Sequence, residues 1–153
     1  MPTETTRLRE LTVRYTVKKD DEGRPVLVGR VLMTSHDSAA VLVPIFQHEP
    51  SEVFGVLFLS TRHRVIAYHE VGRGSLDTVL VTPREVFKAA ILANAAAVIL
   101  CHGHPSGDPT PSSDDIALTR RLAAAGTLLG IEVLDHIIVG DAGHVSLRDR
   151  GCF

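Results

Sequence analysis

Apolar and polar residues alternate from Leu11 to Val17, and this period of two predicts a strand with one buried face. A turn at residues 20–23 and the apolar run from Val26 to Met33 predict the second arm of a hairpin. Ser35 is a suitable cap for a helix over residues 37–47. The first third of the chain is therefore expected to form a strand hairpin followed by one helix.

Short apolar runs bounded by turn residues predict five further strands, at residues 53–60, 64–71, 97–101, 133–139 and 145–147. The first two should pair as an antiparallel hairpin, and the third should be a central strand covered on both faces. Thr82 and Pro83 begin a helix that Glu85 can help to cap, and Ser112 begins another that ends at Gly130. Because strands and helices alternate, the pattern predicts an α/β layered fold.

The 153 residues, 44% hydrophobic and 22% charged, fit one compact domain, in which residues 1–50 join a core formed by residues 51–153. The net charge is −2 and no basic run exceeds two residues, so composition gives no support for nucleic-acid binding. The start is polar and no apolar run reaches the length of a membrane span, so we expect a cytoplasmic protein. Cys101 and Cys152 lack C-x-x-C spacing and are expected to be free thiols.

The most informative chemistry lies in the segment C-H-G-H-P-S-G-D-P-T-P-S-S-D-D. In an extended strand His102 and His104 project to the same face, and Asp115 falls in the first turn of the following helix. Two imidazoles and a carboxylate fill three positions of a tetrahedral zinc site and leave the fourth for water, as in a catalytic zinc site. Ser112 adds a hydroxyl, although it also suits a simple helix cap. The combination predicts a zinc hydrolase rather than a cap beside a surface loop.

A catalytic zinc needs a general base that is not itself a ligand. Glu85 is explained by its place in a capping box, and Glu132 follows a predicted helix end. Glu52 precedes one apolar strand and Glu70 lies near the end of another, so spacing alone leaves both candidates open. His136 lies in a predicted strand, where a satisfied buried histidine is the simpler interpretation and a partner of a metal ligand is the alternative.

The array His102-x-His104-x7-Ser112-x-x-Asp115 resembles the JAMM motif of the JAB/MPN metalloproteases. The longer string H-G-H-P-S-G-D-P-T-P-S is similar to the signature of RadC-type proteins, and the flanking segments P-R-E-V-F-K-A-A-I-L and L-D-H-I-I-V-G agree with it. The resemblance covers about residues 52–147. It implies a mixed β-sheet flanked by helices, similar to that of cytidine deaminases.

The resemblance also implies roles for individual residues. The motif histidines and aspartate are the zinc ligands of that family, which corresponds to His102, His104 and Asp115 here. The motif serine, Ser112, is held to stabilise the tetrahedral intermediate. The family glutamate lies in a Pro-x-Glu-Val-x-Gly-x-Leu pattern that P-S-E-V-F-G-V-L matches, so the resemblance makes Glu52 the preferred base.

Two features depart from the RadC-type pattern. Gly103 stands where asparagine is usual, and residues 1–50 do not predict the helix-hairpin-helix module of longer members, so the chain resembles a short form of the family. The resulting prediction is a zinc-dependent hydrolase that cleaves an amide, peptide or isopeptide bond in a protein or peptide substrate. RadC-family DNA repair or DNA processing is the alternative, which rests on the family label. The substrate's identity and the oligomeric state stay open.

Two other functions are disfavoured. Zinc-dependent nucleobase deamination requires H-x-E and a later P-C-x-x-C, whereas position 104 is His and no C-x-x-C occurs. A non-catalytic binding module is disfavoured because every residue of the metal motif is present.

Overall fold

The structure, a computed structural model, describes residues 8–26, 31–46, 49–74 and 81–153. Within these residues three helices and five strands form one layered unit. In chain order they are α1 (Ser35–Phe46), β1 (Val53–Leu59), β2 (Val65–Arg73), α2 (Pro83–Leu92), β3 (Ala97–Gly103), α3 (Ser113–Leu129), β4 (Glu132–Gly140) and β5 (Gly143–Ser146).

The five strands form one sheet in the order β2-β1-β3-β4-β5. β3 and β4 are parallel, and every other neighbouring pair is antiparallel. The predicted α/β fold with a mixed sheet flanked by helices is confirmed. The predicted hairpin of β1 and β2 and the central position of β3 are also confirmed. The ends of these strands differ from the prediction by one or two residues.

The inner strands β1 and β3 are buried along their whole length, which explains why both are continuous apolar runs. Alternate side chains supply two hydrophobic clusters, one on each face of the sheet. One cluster includes Phe54, Leu100 and residues of α2 and α3, and the other includes Leu57, Ile99 and residues of α1. Each fully buried Leu or Phe side chain contributes about 1.5–3 kcal/mol. This packing holds the carboxyl end of β3 rigidly between its neighbours.

The strand predicted from Leu11 to Val17 is wrong. These residues belong to no strand, and the apolar side chains that should share a buried face are 45–76% exposed. The turn at Asp20–Gly23 is present, because the Asp20 carboxylate accepts the amide protons of Glu22 and Arg24. Part of the second predicted arm, residues 27–30, lies outside the described residues. An alternating segment forms a stable strand only when another part of the fold covers its apolar face. The local pattern does not show whether such a surface exists.

Helix α1 begins as predicted to within two residues, but with a different cap. Thr34 Oγ1 accepts the amide of Asp37 at 3.1 Å, and the Asp37 carboxylate accepts the amide of Thr34 at 3.0 Å. Ser35 is therefore the first helical residue and not the cap. The predicted last residue, Gln47, lies outside the described residues.

Two smaller expectations can be compared with the structure. Cys101 and Cys152 are both free thiols, as predicted. No helix in the described ranges combines the length and the apolar composition that a membrane span requires.

Candidate metal centre

Strand β3 brings both motif histidines to one end of the sheet. His102 lies in the strand and is 4% exposed, whereas His104 follows it and its amide donates to the Val139 carbonyl of β4 at 2.8 Å. Their ring centroids are 4.7 Å apart. The period of two along an extended chain thus places the imidazoles side by side, as the sequence predicts.

Glu52 reaches the same place from the neighbouring strand. β1 is antiparallel to β3 with Val53 opposite Gly103, so the residue before β1 lies beside the motif histidines. Glu52 Oε1 is 2.8 Å from His102 Nε2. The fifty-residue separation along the chain disappears in this register.

Glu70, the other candidate base, is held elsewhere. Its carboxylate pairs with Arg73 at 2.6 Å, and Arg73 also pairs with Glu49. Glu52, His102 and His104 offer ligand atoms that all lie within 4.8 Å of one another. The structure therefore brings Glu52, and not Glu70, to the histidines.

Asp115 enters the cluster from the start of α3. Ser112 is the N-cap: its hydroxyl accepts the amide of Asp115 at 3.1 Å, while Asp115 Oδ2 accepts the amide of Ser112 at 2.8 Å. The same carboxylate lies 3.1 Å from His102 Nδ1 through Oδ1 and 3.4 Å from His104 Nε2 through Oδ2. One side chain thus completes a capping box and faces both imidazoles.

The charges of this cluster support each other. Burial raises the pKa of Asp115, but the adjacent imidazoles of His102 and His104 and the amide of Ser112 together hold it well below its usual range. The hydrogen bond with Asp115 raises the pKa of His104. Asp115 is therefore a carboxylate throughout the physiological pH range, which is the form that binds a metal.

The residues fit a zinc ion. Asp108 fixes the ring of His104, since its carbonyl accepts from Nδ1 at 2.9 Å and leaves Nε2 facing the cluster. His102 Nδ1 is buried without a hydrogen-bond partner in the described structure, because its approach to Asp115 lacks hydrogen-bond geometry. Two imidazole nitrogens and a carboxylate are the donors that zinc prefers.

Ser112 lies at the mouth of the centre. It lines one open cavity together with Glu52, His104, Asp115 and the loop residues Pro105 and Ser106. Its oxygen accepts the Asp115 amide, so its own hydroxyl hydrogen is free to be donated into this cavity. All five site residues predicted from the sequence are therefore brought together, and their individual roles stay predictions.

Two residues behind the centre extend it. His136 is fully buried, and its Nδ1 lies 2.6 Å from the hydroxyl of Thr119, which donates to the Asp115 carbonyl at 2.6 Å. His136 Nε2 has no hydrogen-bond partner in the described structure, so a fully satisfied histidine is not what the fold contains. Burial, reinforced by the neighbouring His102, lowers the pKa of His136 to about 3 and keeps it neutral.

Sequence reasoning missed Thr119. The usable signal was its position four residues after Asp115, which places a side-chain hydroxyl within reach of the Asp115 carbonyl on a helix.

Comparison with known proteins identifies the family of the chain. Residues 32–152 match the family model described as the RadC-like JAB domain. The chain belongs to this family. A UPF0758 protein of Desulfitobacterium hafniense is 49% identical over 125 residues, which cover 82% of this chain and 55% of that protein. Relatives of the same description occur in Methanosarcina acetivorans (45% over 122 residues, 80% and 53% of the two chains) and Symbiobacterium thermophilum (53% over 110 residues, 72% and 47%). The chain thus spans about half the length of these curated relatives.

Gly103, where the sequence resemblance leads one to expect asparagine, lies close to helix α1. A Cβ atom built on this glycine would lie 2.9 Å from Cδ1 of Phe46, which packs from α1 against the end of β3. An asparagine between the histidines therefore requires the Phe46 ring to move. Gly103 thus leaves the space that the Phe46 ring fills beside His102 and His104.

Proposed function

We propose that this RadC-like JAB domain is a zinc-dependent hydrolase that cleaves an amide, peptide or isopeptide bond in a protein or peptide substrate. The observation that carries the proposal is the convergence of Glu52, His102, His104 and Asp115 from three separate parts of the fold. All of them except His102 line one open cavity. Capping or packing alone explains Asp115 but does not explain why a second carboxylate contacts the same buried imidazole.

His102, His104 and Asp115 would hold the zinc, with Asp115 kept ionised and His104 kept in one tautomer by the contacts described above. A bound zinc ion polarises a carbonyl group and lowers the pKa of water to about 7. Glu52 would accept a proton from the attacking water and return it to the leaving nitrogen. Ser112 would donate its hydroxyl hydrogen to the oxygen on which negative charge develops.

The first test is metal binding. Purified wild-type protein is expected to retain about one zinc ion per chain, and the double variant His102→Ala, His104→Ala is expected to retain none. His144→Ala is the matched control, because that histidine is exposed on β5, two strands away from the strand that carries His102. Wild-type protein that binds no added zinc would contradict the proposal.

The second test separates the base from a ligand. Glu52→Gln should keep zinc and lose hydrolysis of a quenched fluorogenic peptide library and of lysine-isopeptide substrates, by about 10²–10⁴-fold. Glu70→Gln is the control and should cleave like wild type, because Glu70 pairs with Arg73 instead. Loss of zinc in Glu52→Gln would make Glu52 a ligand, and loss of activity only in Glu70→Gln would move the base.

Action on DNA is the competing outcome. The net charge of −2 does not favour it, and binding to phosphates would show a steep dependence on salt. A duplex that shifts in the presence of this protein, and less so as salt increases, together with no peptide or isopeptide cleavage, would replace the hydrolase proposal with a DNA-processing role.

A further inference from the structure

A chain of two hydrogen bonds leads from the core to the start of α3. Thr119 Oγ1 lies 2.6 Å from the Asp115 carbonyl and 2.6 Å from His136 Nδ1, and both side chains are completely buried. A hydroxyl has one hydrogen, and a carbonyl can only accept it. The His136 nitrogen is therefore the donor, so His136 is the Nδ1–H tautomer and its Nε2 carries a lone pair.

His136 also contacts the metal motif through its ring. It stacks on His102 with centroids 6.2 Å apart and planes 24° apart, and it meets the ring of Phe54 at 5.5 Å. Phe54 in turn lies 5.8 Å from His102. The buried side of His102 is thus enclosed by two rings that leave it little rotational freedom.

Packing alone does not account for these polar groups. His136 Nε2 is a buried acceptor without a partner in the described structure, and such a group costs about 1–3 kcal/mol. A Thr hydroxyl bonded to the carbonyl four residues earlier slightly destabilises a helix. Apolar side chains would avoid both costs, so the polar pair is better explained by what it contacts, namely the backbone of Asp115 and the ring of His102.

We propose that Thr119 and His136 are positioning residues for the metal centre. The Thr119 hydroxyl holds the first turn of α3, which carries Asp115, and the His136 imidazole holds both that hydroxyl and the ring of His102. This inference rests on the metal centre of the proposed function, and its readout is metal affinity rather than catalysis.

The hydroxyl is tested by Thr119→Val, which has nearly the same shape, against Thr119→Ser, which keeps the hydroxyl. Zinc affinity measured by chelator competition should fall about tenfold or more in Thr119→Val and should be largely restored in Thr119→Ser. Thr127→Val is the matched control, since Thr127 makes the same bond to the carbonyl four residues earlier at 3.1 Å on an exposed part of α3. It should bind zinc like wild type.

The role of the His136 imidazole is tested by two polar substitutions that the fold should tolerate about equally well. His136→Asn keeps a donor near the position of Nδ1, whereas His136→Gln places its amide near the position of Nε2, so His136→Asn should bind zinc more tightly. These two His136 variants test the positioning role even if Thr119→Val does not fold. Equal affinities, or the reverse order, would overturn the role of the Nδ1 donor.

The outcomes separate the two proposals. If Thr119→Val lowers the melting temperature of the metal-free protein but shows the wild-type increase on adding zinc, the pair is structural and the positioning role is overturned. Wild-type protein that binds zinc normally but cleaves no probe contradicts the hydrolase alone. Wild-type protein that binds no zinc overturns the centre and this inference together.

Discussion

Helices α2 and α3 start in the same way but serve different ends. Thr82 caps α2 by accepting the amide of Glu85 at 3.3 Å, and Ser112 caps α3 by accepting the amide of Asp115 at 3.1 Å. The third helical residue is acidic in both. Glu85, however, turns outward to pair with Lys88, whereas the Asp115 carboxylate returns to the cap and faces two histidines.

The layers below the two helix starts differ as well. α2 buries only Val86, Phe87 and Ala90, whereas α3 buries Asp115 and Thr119 beside Leu122. A shorter acidic side chain and a polar layer therefore distinguish an N-cap that belongs to a candidate metal centre from one that only begins a helix. A capping hydroxyl followed three residues later by an acidic residue can therefore be a simple helix start or part of a metal centre. Which of the two it is depends on the residues of the neighbouring strand.

The largest expected effect separates the two acidic residues. Asp115→Asn keeps a side-chain acceptor for the cap but removes the charge of the proposed zinc ligand. Zinc affinity should therefore fall by at least about 100-fold, more than for an outer partner. Glu85→Gln should leave zinc affinity unchanged. Chelator competition measures both. Wild-type affinity in Asp115→Asn would show that Asp115 only caps the helix and would remove the distinction.

A smaller effect separates the two caps. Ser112→Ala and Thr82→Ala should each lower the free energy of unfolding by about 1 kcal/mol, because each removes a cap. Only Ser112→Ala should also slow hydrolysis, by about 100-fold at constant zinc content, because it removes the proposed donor to the developing oxyanion. Urea unfolding and turnover of the same peptide probe give the two readouts. Equal turnover in the two variants would limit Ser112 to capping.

The last expected effect is a change of slope with pH, and it comes from the polar layer under α3. The pKa of His136 is lowered to about 3 by burial, against about 6.5 in an unfolded chain. Between these values only the unfolded chain takes up the proton, so stability is present above pH 6.5 and is lost as the pH falls. The free energy of unfolding of the metal-free wild-type protein should therefore fall by up to about 1.4 kcal/mol per pH unit in this range because of His136.

The control for this prediction is His136→Leu, which removes the titrating group but retains Asp115, His102 and His104, the charged and titratable neighbours of His136. The slope of unfolding free energy between pH 6 and pH 4 should be shallower in the variant. Identical slopes would mean that His136 titrates alike in the folded and unfolded chains. No comparable slope is expected from the apolar layer under α2.

Elements with strong local signals were predictable from the sequence. β1 and β3 are continuous apolar runs because both faces are covered, and α2 and α3 begin at side chains that satisfy free amides. The segment from Leu11 to Val17 was misread, since alternation says nothing about whether another part of the fold lies against it.

The candidate site was predictable to the extent that its residues lie close together in the sequence. His102, His104 and Asp115 follow from spacing along one strand and one helix. Glu52 does not, because its approach depends on the register of β1 against β3, a long-range property that spacing left undecided between two glutamates. Thr119 had a local signal in its spacing from Asp115, but its second partner, His136, comes from β4 and could not be found from spacing.

Asp115 contacts both the Ser112 amide and the two histidines, and this affects how a metal ion would be captured. Its side chain loses its rotamer freedom when the helix folds, because Oδ2 is already bonded to the Ser112 amide. An arriving ion therefore finds a preorganised carboxylate rather than one it must order. Amide hydrogen exchange at the first turn of α3 should accordingly be slow in the metal-free protein and change little on loading. The fold, more than the ion, then determines the shape of the coordination sphere.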